Sequence, residues 1–246
     1  RRRYDGDLMV PLILSLTAVV LLVAAQVFTR SRAGLGLTIA ALAGSLWLSA
    51  AGKGAGRAAS IRLAIGAGLI GALLALQVGF HRIADRFADD PLADARLPIA
   101  RGTIEAVKAH LPLGAGLGSF VATYSAVERP ADALLDRYIN RAHNDWLEFA
   151  LEMGVPGAVL LAAAVGWLVV AGGRTWLRRH DAGSDIDMML ARAASLSVLL
   201  LMVHSLVDYP LRTTSMLSVL AFMAALLVPA AATDEDATRH ARGPSE

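Results

Sequence analysis

No cysteine occurs anywhere in the 246 residues. That absence excludes a disulfide framework and thiolate metal sites, although it does not identify the compartment. Histidine-rich clusters and histidine–carboxylate ligand sets are missing as well, so no catalytic metal is expected. The glycine-rich "GAGLG" at 114–118 has neither GxGxxG spacing nor a preceding strand, which argues against nucleotide binding. "DGD" at 5–7, "DID" at 185–187 and "DED" at 234–236 resemble the Asp pairs that hold a metal and a sugar nucleotide. All three fall on flanks assigned below to the cytoplasm, where short acidic runs are ordinary helix-end residues. Internal repeats, low-complexity domains and a signal-peptide pattern are also lacking. The chain starts at "RRRYDGD" without Met and is expected to be the C-terminal piece of something longer.

Apolar residues are plentiful instead: 56% of the chain is hydrophobic and the mean hydropathy is +0.54. A soluble domain of this size would divide them into amphipathic stripes. Here several stretches are apolar all round and approach the roughly 20 residues that a bilayer crossing needs. Six spans are predicted, at 8–28, 33–50, 61–80, 146–172, 187–207 and 213–230, all helical because lipid offers backbone groups no partner. The expected fold class is all-α, a polytopic transmembrane helix bundle. One membrane domain is predicted over 1–232 and a cytoplasmic tail over 233–246.

The net charge of +2 matters less than its distribution. Arg1 to Arg3, then Lys53, Arg57 and Arg62, then Arg174, Arg178 and Arg179, and finally Arg239 and Arg242 fall on one side, which the positive-inside rule makes cytoplasmic. The other side receives "TRSR" at 29–32, the long segment 81–145 and "HSLVDYPLRTT" at 204–214. The long segment carries eight Lys or Arg and eight acids before Asp145. Within it, 98–110 reads as an amphipathic helix lying on the membrane with Ile99, Ile104 and Val107 on one face. "ADALLDRYINRA" at 131–142 reads as a second short helix, and "LPLGAGLGSF" as a turn-rich connector.

"RAHNDWLEFALEMGVPG" at 141–157 places His, Asn, Asp and two Glu where an apolar helix begins. Two explanations compete. Asn144 or Asp145 could cap the helix, Trp146 anchor it at headgroup depth and His143 simply be wet. Alternatively, neutral His143 takes a proton from an incoming hydroxyl, helped by the positive helix end. Arg30 and Arg32 sit in an outer turn, against the usual charge bias, and a diphosphate would account for them through paired guanidinium donors. Arg96 and Arg101 are similar candidates, although Arg101 can pair with Glu105. His204, Asp208 and Arg212 lie at the outer mouth of the fifth span, either in function or in support of the loop. Arg192 can snorkel and is given no role.

The stretch resembles the O-antigen ligase and polysaccharide polymerase superfamily of bacterial membrane proteins. The pattern is His, then Asn, Ser or Gln, nine residues, Gly, two residues, then Gly, Thr or Tyr; His143, Asn144, Gly154 and Gly157 satisfy it. "SRAGLGL" at 31–37, "ARLPIARGTIEAVKAHLPLGAGLGSF" at 95–120 and "HSLVDYPLR" at 204–212 add similarity in the right order. The resemblance implies a GT-C-like bundle with a lateral opening, further spans upstream, and a site facing the periplasm from a bacterial inner membrane. It implies transfer of a glycan from undecaprenyl diphosphate to an acceptor hydroxyl, in O-antigen ligation or surface and exopolysaccharide assembly. The acceptor would be lipid A–core, another repeat unit for a polymerase, or a protein for an O-oligosaccharyltransferase. His143 would be catalytic with Arg32 and with Arg96 or Arg101; Arg30, Arg101, Asn144, His204 and Asp208 would bind substrate. Neither ATP, cofactor nor metal would be needed, and no nucleic acid is expected as a partner. A non-enzymatic transporter of the same lipid-linked glycans is the competing class, although its polar residues would lie nearer the midplane.

Overall fold

The computed structural model describes residues 31–51, 91–130, 132–133, 138–177 and 185–228, together with parts of 10–26. The expected span 61–80, the head of the long loop at 81–90 and the tail beyond 228 lie outside the described residues. Among the described residues from 31 onward the helices are α1 (Arg32–Ala51), α2 (Pro91–His110), α3 (Phe120–Val127), α4 (Asp145–Leu177), α5 (Asp185–His204) and α6 (Thr214–Leu226), with a 3-10 turn at Pro210–Arg212. A further apolar helical stretch covers Ile13–Val23. No strand occurs among the described residues, so the all-α expectation agrees with the fold.

Two helices, Asp145–Leu177 and Ile186–His204, are long and apolar enough to cross a membrane. Their outer surfaces are apolar: Val159, Leu160, Val169, Val170 and Leu199 are all exposed. Such a surface suits lipid rather than water. Ala33–Leu48 and Thr214–Leu226 are apolar but shorter. At 13 residues, α6 is about 20 Å long, less than the hydrocarbon thickness of about 30 Å.

Helix α5 packs on α1, α4 and α6, and α2 packs on both α3 and α4. Ala171, Ala194, Val198 and Leu227 form the core of the α4–α5–α6 contact. A Cβ added at Gly44 would come within 3.2 Å of Leu196 Cδ1, and Trp47 stacks on Trp176 at 5.0 Å. These contacts fix the direction of α1. Its C-terminal half lies with the start of α5 and the end of α4, so Arg32 opens α1 at the opposite end, where His204 closes α5. Ser31 caps α1, its hydroxyl accepting the Gly34 amide at 3.0 Å.

A second core joins the long segment to the start of α4. Ile99, Ala106, Phe120, Tyr124, Ile139, Ala142 and Leu151 are buried together. Burial first, then Glu128 and Asp132, push the Tyr124 phenol up to about 12, so it stays an uncharged core ring. Three sequence expectations need correction here. Residues 138–142 are not helical, because Ile139 and Ala142 enter the core from an extended segment. The helix at Phe120–Val127 was not expected. In α2 the buried stripe is Ile99, Thr103 and Ala106, whereas Ile104 is 40% exposed, about 140° around the helix from Ile99.

Candidate functional site

The polar residues gather where α4 begins and α5 ends. Asp145, Glu148 and Glu152 recur at three and four residues and share one face of α4. All three are buried. Buried carboxylates need partners. Arg212 supplies most of them: its Nη1 lies 2.7 Å from Glu152 Oε2, while Nε lies 3.5 Å from Glu148 Oε1 and 3.8 Å from Asp145 Oδ1. Arg141 adds a 2.8 Å contact to Glu148 Oε1. Amides complete the set, from Ala142 to Glu148 Oε2 at 3.0 Å, Leu211 to Asp145 Oδ2 at 2.9 Å and Gly118 to Glu152 Oε1 at 3.0 Å. One helix face thereby ties the long segment to the turn after α5. Asp145 and Glu148 also sit at the positive end of the α4 dipole.

Histidine 143 lies immediately outside this network. Its backbone is left-handed, with φ +50°, a conformation that costs a non-glycine residue on the order of 1 kcal/mol or more. That turn lets Ala142 enter the core while Asn144 caps α4. The Asn144 Oδ1 accepts the Leu147 amide at 3.0 Å, and its Nδ2 donates to the Leu206 carbonyl at 2.8 Å. Asn144, expected to bind substrate, therefore has both ends of its amide engaged in protein contacts. The His143 ring meets Tyr209 edge-on at 5.1 Å, and its Nδ1 faces Asp208 Oδ1 at 3.6 Å. His204 Nε2 lies 3.8 Å from the other Asp208 oxygen. The His143 imidazole holds the Asp208 carboxyl below its ordinary range against the opposing effect of burial, with further help from the Tyr209 amide and His204.

Gly154 of the motif has a structural reason. Gly154 adopts φ 56° and ψ −147°, which breaks α4. The break frees the Leu151 carbonyl and the Val155 amide; Pro156 has no N–H, which frees the Glu152 carbonyl. The loop after α2 takes up all three. Ala115 donates to Leu151 at 2.8 Å, Gly116 donates to Glu152 at 2.9 Å, and Val155 donates to Pro112 at 2.8 Å. The backbones approach so closely that a Cβ at Gly154 would lie 2.5 Å from the Gly114 nitrogen. Gly154 thus serves both the kink and the close approach, with a loop rather than a neighbouring helix as its partner.

The remaining predicted residues are distributed unevenly. Arg30 lies outside the described residues, and Arg32 opens α1 at the same end of the bundle as His143 and His204. Arg96 and Arg101 are exposed on α2. Arg96 precedes Ile99 by three residues and flanks the face packed on α4, whereas Arg101 points away from it. Glu105 pairs with Arg129 at 2.6 Å rather than with Arg101. Sequence reasoning missed Arg141 and Tyr209, left Glu148 and Glu152 without a role, and left Arg212 open between function and loop support. The spacing of Asp145, Glu148 and Glu152 was the available signal.

The family model described as O-antigen ligase (Wzy_C) matches residues 17–162, more than half of the chain and including the His143–Gly157 motif. The chain belongs to the O-antigen ligase family. Neither curated proteins nor solved structures show a match. Family membership gives this O-antigen ligase relative a coarse function, glycan transfer of the ligase or polymerase type by a membrane-associated, glycosyltransferase-like enzyme acting on a lipid-linked glycan and an acceptor. The match ends before His204, Asp208 and Arg212, so the family model does not cover the second half of the mouth.

Proposed function

We propose that this chain transfers a glycan from undecaprenyl diphosphate to an acceptor hydroxyl at the periplasmic face of a bacterial inner membrane, with His143 as the base. The observation that carries this reading is His143 Nδ1 facing Asp208 at the mouth of α4. A carboxylate opposite Nδ1 favours the proton on that nitrogen and leaves the Nε2 lone pair for the acceptor hydroxyl. As the hydroxyl oxygen attacks the anomeric carbon, its proton passes to Nε2. The bond to the diphosphate breaks, and the leaving oxygen keeps the electron pair.

The diphosphate is already a good leaving group, so its growing charge must be stabilised rather than protonated. Arg32, at the same end of the bundle, and Arg96, on the flank of α2, are assigned that role. Arg101 is left out because it points away from the face packed on α4. Arg212 is unsuited to the task because carboxylates already neutralise it. His204 supports Asp208 from the opposite side. No metal is needed for this route, since the donor bond supplies the driving force. The GT-C-like bundle, its multi-pass topology and the domain spanning 1–232 belong to the same proposal.

The test is His143→Ala, purified after normal membrane insertion and assayed with a polyprenyl diphosphate glycan. Loss of about 10²–10⁴ in turnover is expected for removal of a general base. Near-normal turnover would reject the assignment. Arg32→Lys keeps charge but removes the paired donors, and unchanged activity there would reject the diphosphate clamp.

A further inference from the structure

Helix α2 is apolar on two opposite faces, and only one of them is packed. Leu97, Ile104 and Leu111 recur every seven residues and line an exposed stripe on the side away from Ile99 and Ala106. Leu113 and Leu117, 75% and 74% exposed, continue it into the loop. Five exposed apolar side chains in succession on an ordered segment mark an interaction surface. The proposed transfer reaction uses none of them.

Three observations identify the partner as bilayer lipid. The loop is bonded to α4 at Leu151, Glu152 and Val155, about 9–15 Å along the helix from Asp145, from the level of Glu152, the innermost carboxylate of the mouth, to the apolar surface that follows it. On α4 the exposed side chains next below this level include Val155, Val159 and Leu160, so the leucines of the loop adjoin a surface that lipid already suits. Arg101 and Lys108 follow Leu97 and Ile104 by four residues each and are exposed beside the stripe. Cations flanking an apolar stripe let an interfacial helix insert one side while its charges reach the headgroups. Finally, backbone at membrane depth must be satisfied within the protein. The Gly114 amide donates to His110, Ala115 and Gly116 donate to α4, and Gly118 donates to the Glu152 side chain.

We infer that Leu97, Ile104, Leu111, Leu113 and Leu117 seat the long segment among the acyl chains of the leaflet on the His143 side, with Arg101 and Lys108 at its headgroups. This surface fixes the depth of the mouth and does not depend on which reaction occurs there.

The cysteine-free sequence allows a direct test. Leu113→Cys, Leu117→Cys and the water-facing control Asn140→Cys would each carry an environment-sensitive fluorophore, in the full chain reconstituted into phosphatidylethanolamine–phosphatidylglycerol vesicles. Positions 113 and 117 should show blue-shifted emission, quenched several-fold more by acyl-chain nitroxide lipids than position 140. Aqueous iodide should quench position 140 alone. Iodide quenching of all three would overturn the inference. So would protection that requires added polyprenyl phosphate, or that appears only at high protein-to-lipid ratio, since these indicate the donor chain or a second copy. If a cysteine variant fails to insert, Leu113→Trp in brominated lipid, read against the parent's four tryptophans, gives the same decision.

Discussion

Two arginines at opposite ends of the α4–α5 packing are held by different chemistry. At the mouth, Arg212 reaches Asp145, Glu148 and Glu152, all buried. At the far end, Arg192 lies over the Trp176 ring at 5.2 Å and reaches the Thr175 carbonyl at 3.4 Å, while Trp176 donates to Ser195 at 3.0 Å. The first arrangement is directional and joins the 141–148 stretch, the loop after α2 and the turn after α5. The second is a broad aromatic contact between two helices. The end where His143 faces Asp208 is thus held at fixed angles, whereas the other end is held by helix packing.

Removing each arginine would sharpen that contrast. Arg212→Met removes the cation that reaches all three buried carboxylates and should cost about 3–5 kcal/mol, visible as a large drop in thermal midpoint in detergent. An unchanged midpoint would show that the network is not structural. Gly154→Ala forces a side chain into a glycine-only conformation against Gly114, with a backbone penalty of about 1–3 kcal/mol before any clash. It should also expose the 111–118 loop to proteolysis, and an uncleaved loop would count against the close approach. Arg192→Met loses the cation–ring contact, about 0.5–1 kcal/mol, together with the long hydrogen bond to the Thr175 carbonyl, and should leave transfer unaltered. If its effect equalled that of Arg212→Met, the distinction between the two ends would fail.

Acid offers the finest discrimination. Because Asp208 titrates below its ordinary value of 3.8, its ionised form stabilises the fold above that pH, and the contribution disappears as pH falls through the depressed value. Wild type should therefore lose more stability than Asp208→Asn between neutral pH and pH values below 3.8. Parallel pH profiles for the two proteins would remove the His143–Asp208 contact from consideration.

Much of this was legible in the residues. Long apolar runs announce helices because lipid and helix cores select the same side chains, and four of the predicted spans coincide with α1, α4, α5 and α6 apart from their ends. The grouping of His143, His204 and Asp208 followed from assigning the 141–157 and 204–212 stretches to one side of the membrane. The role of Glu148 was not legible, since a carboxylate on a helix start reads equally as a solvated dipole partner. Nor could the Gly154–Pro156 sequence say what would fill its break, because the complement comes from residues some forty positions earlier. The helix expected at 98–110 exists but begins seven residues earlier, at Pro91, and its faces were misassigned: hydrophobic spacing reveals that a face is apolar, not whether protein or lipid covers it.

What the chain alone determined was the class of molecule: helices that favour lipid, with an imidazole at the start of one of them. Only the folded arrangement decided which charges are neutralised and which remain available. Charge pairing depends on three-dimensional proximity across sixty or more residues, as between Glu152 and Arg212, and no local pattern encodes that distance.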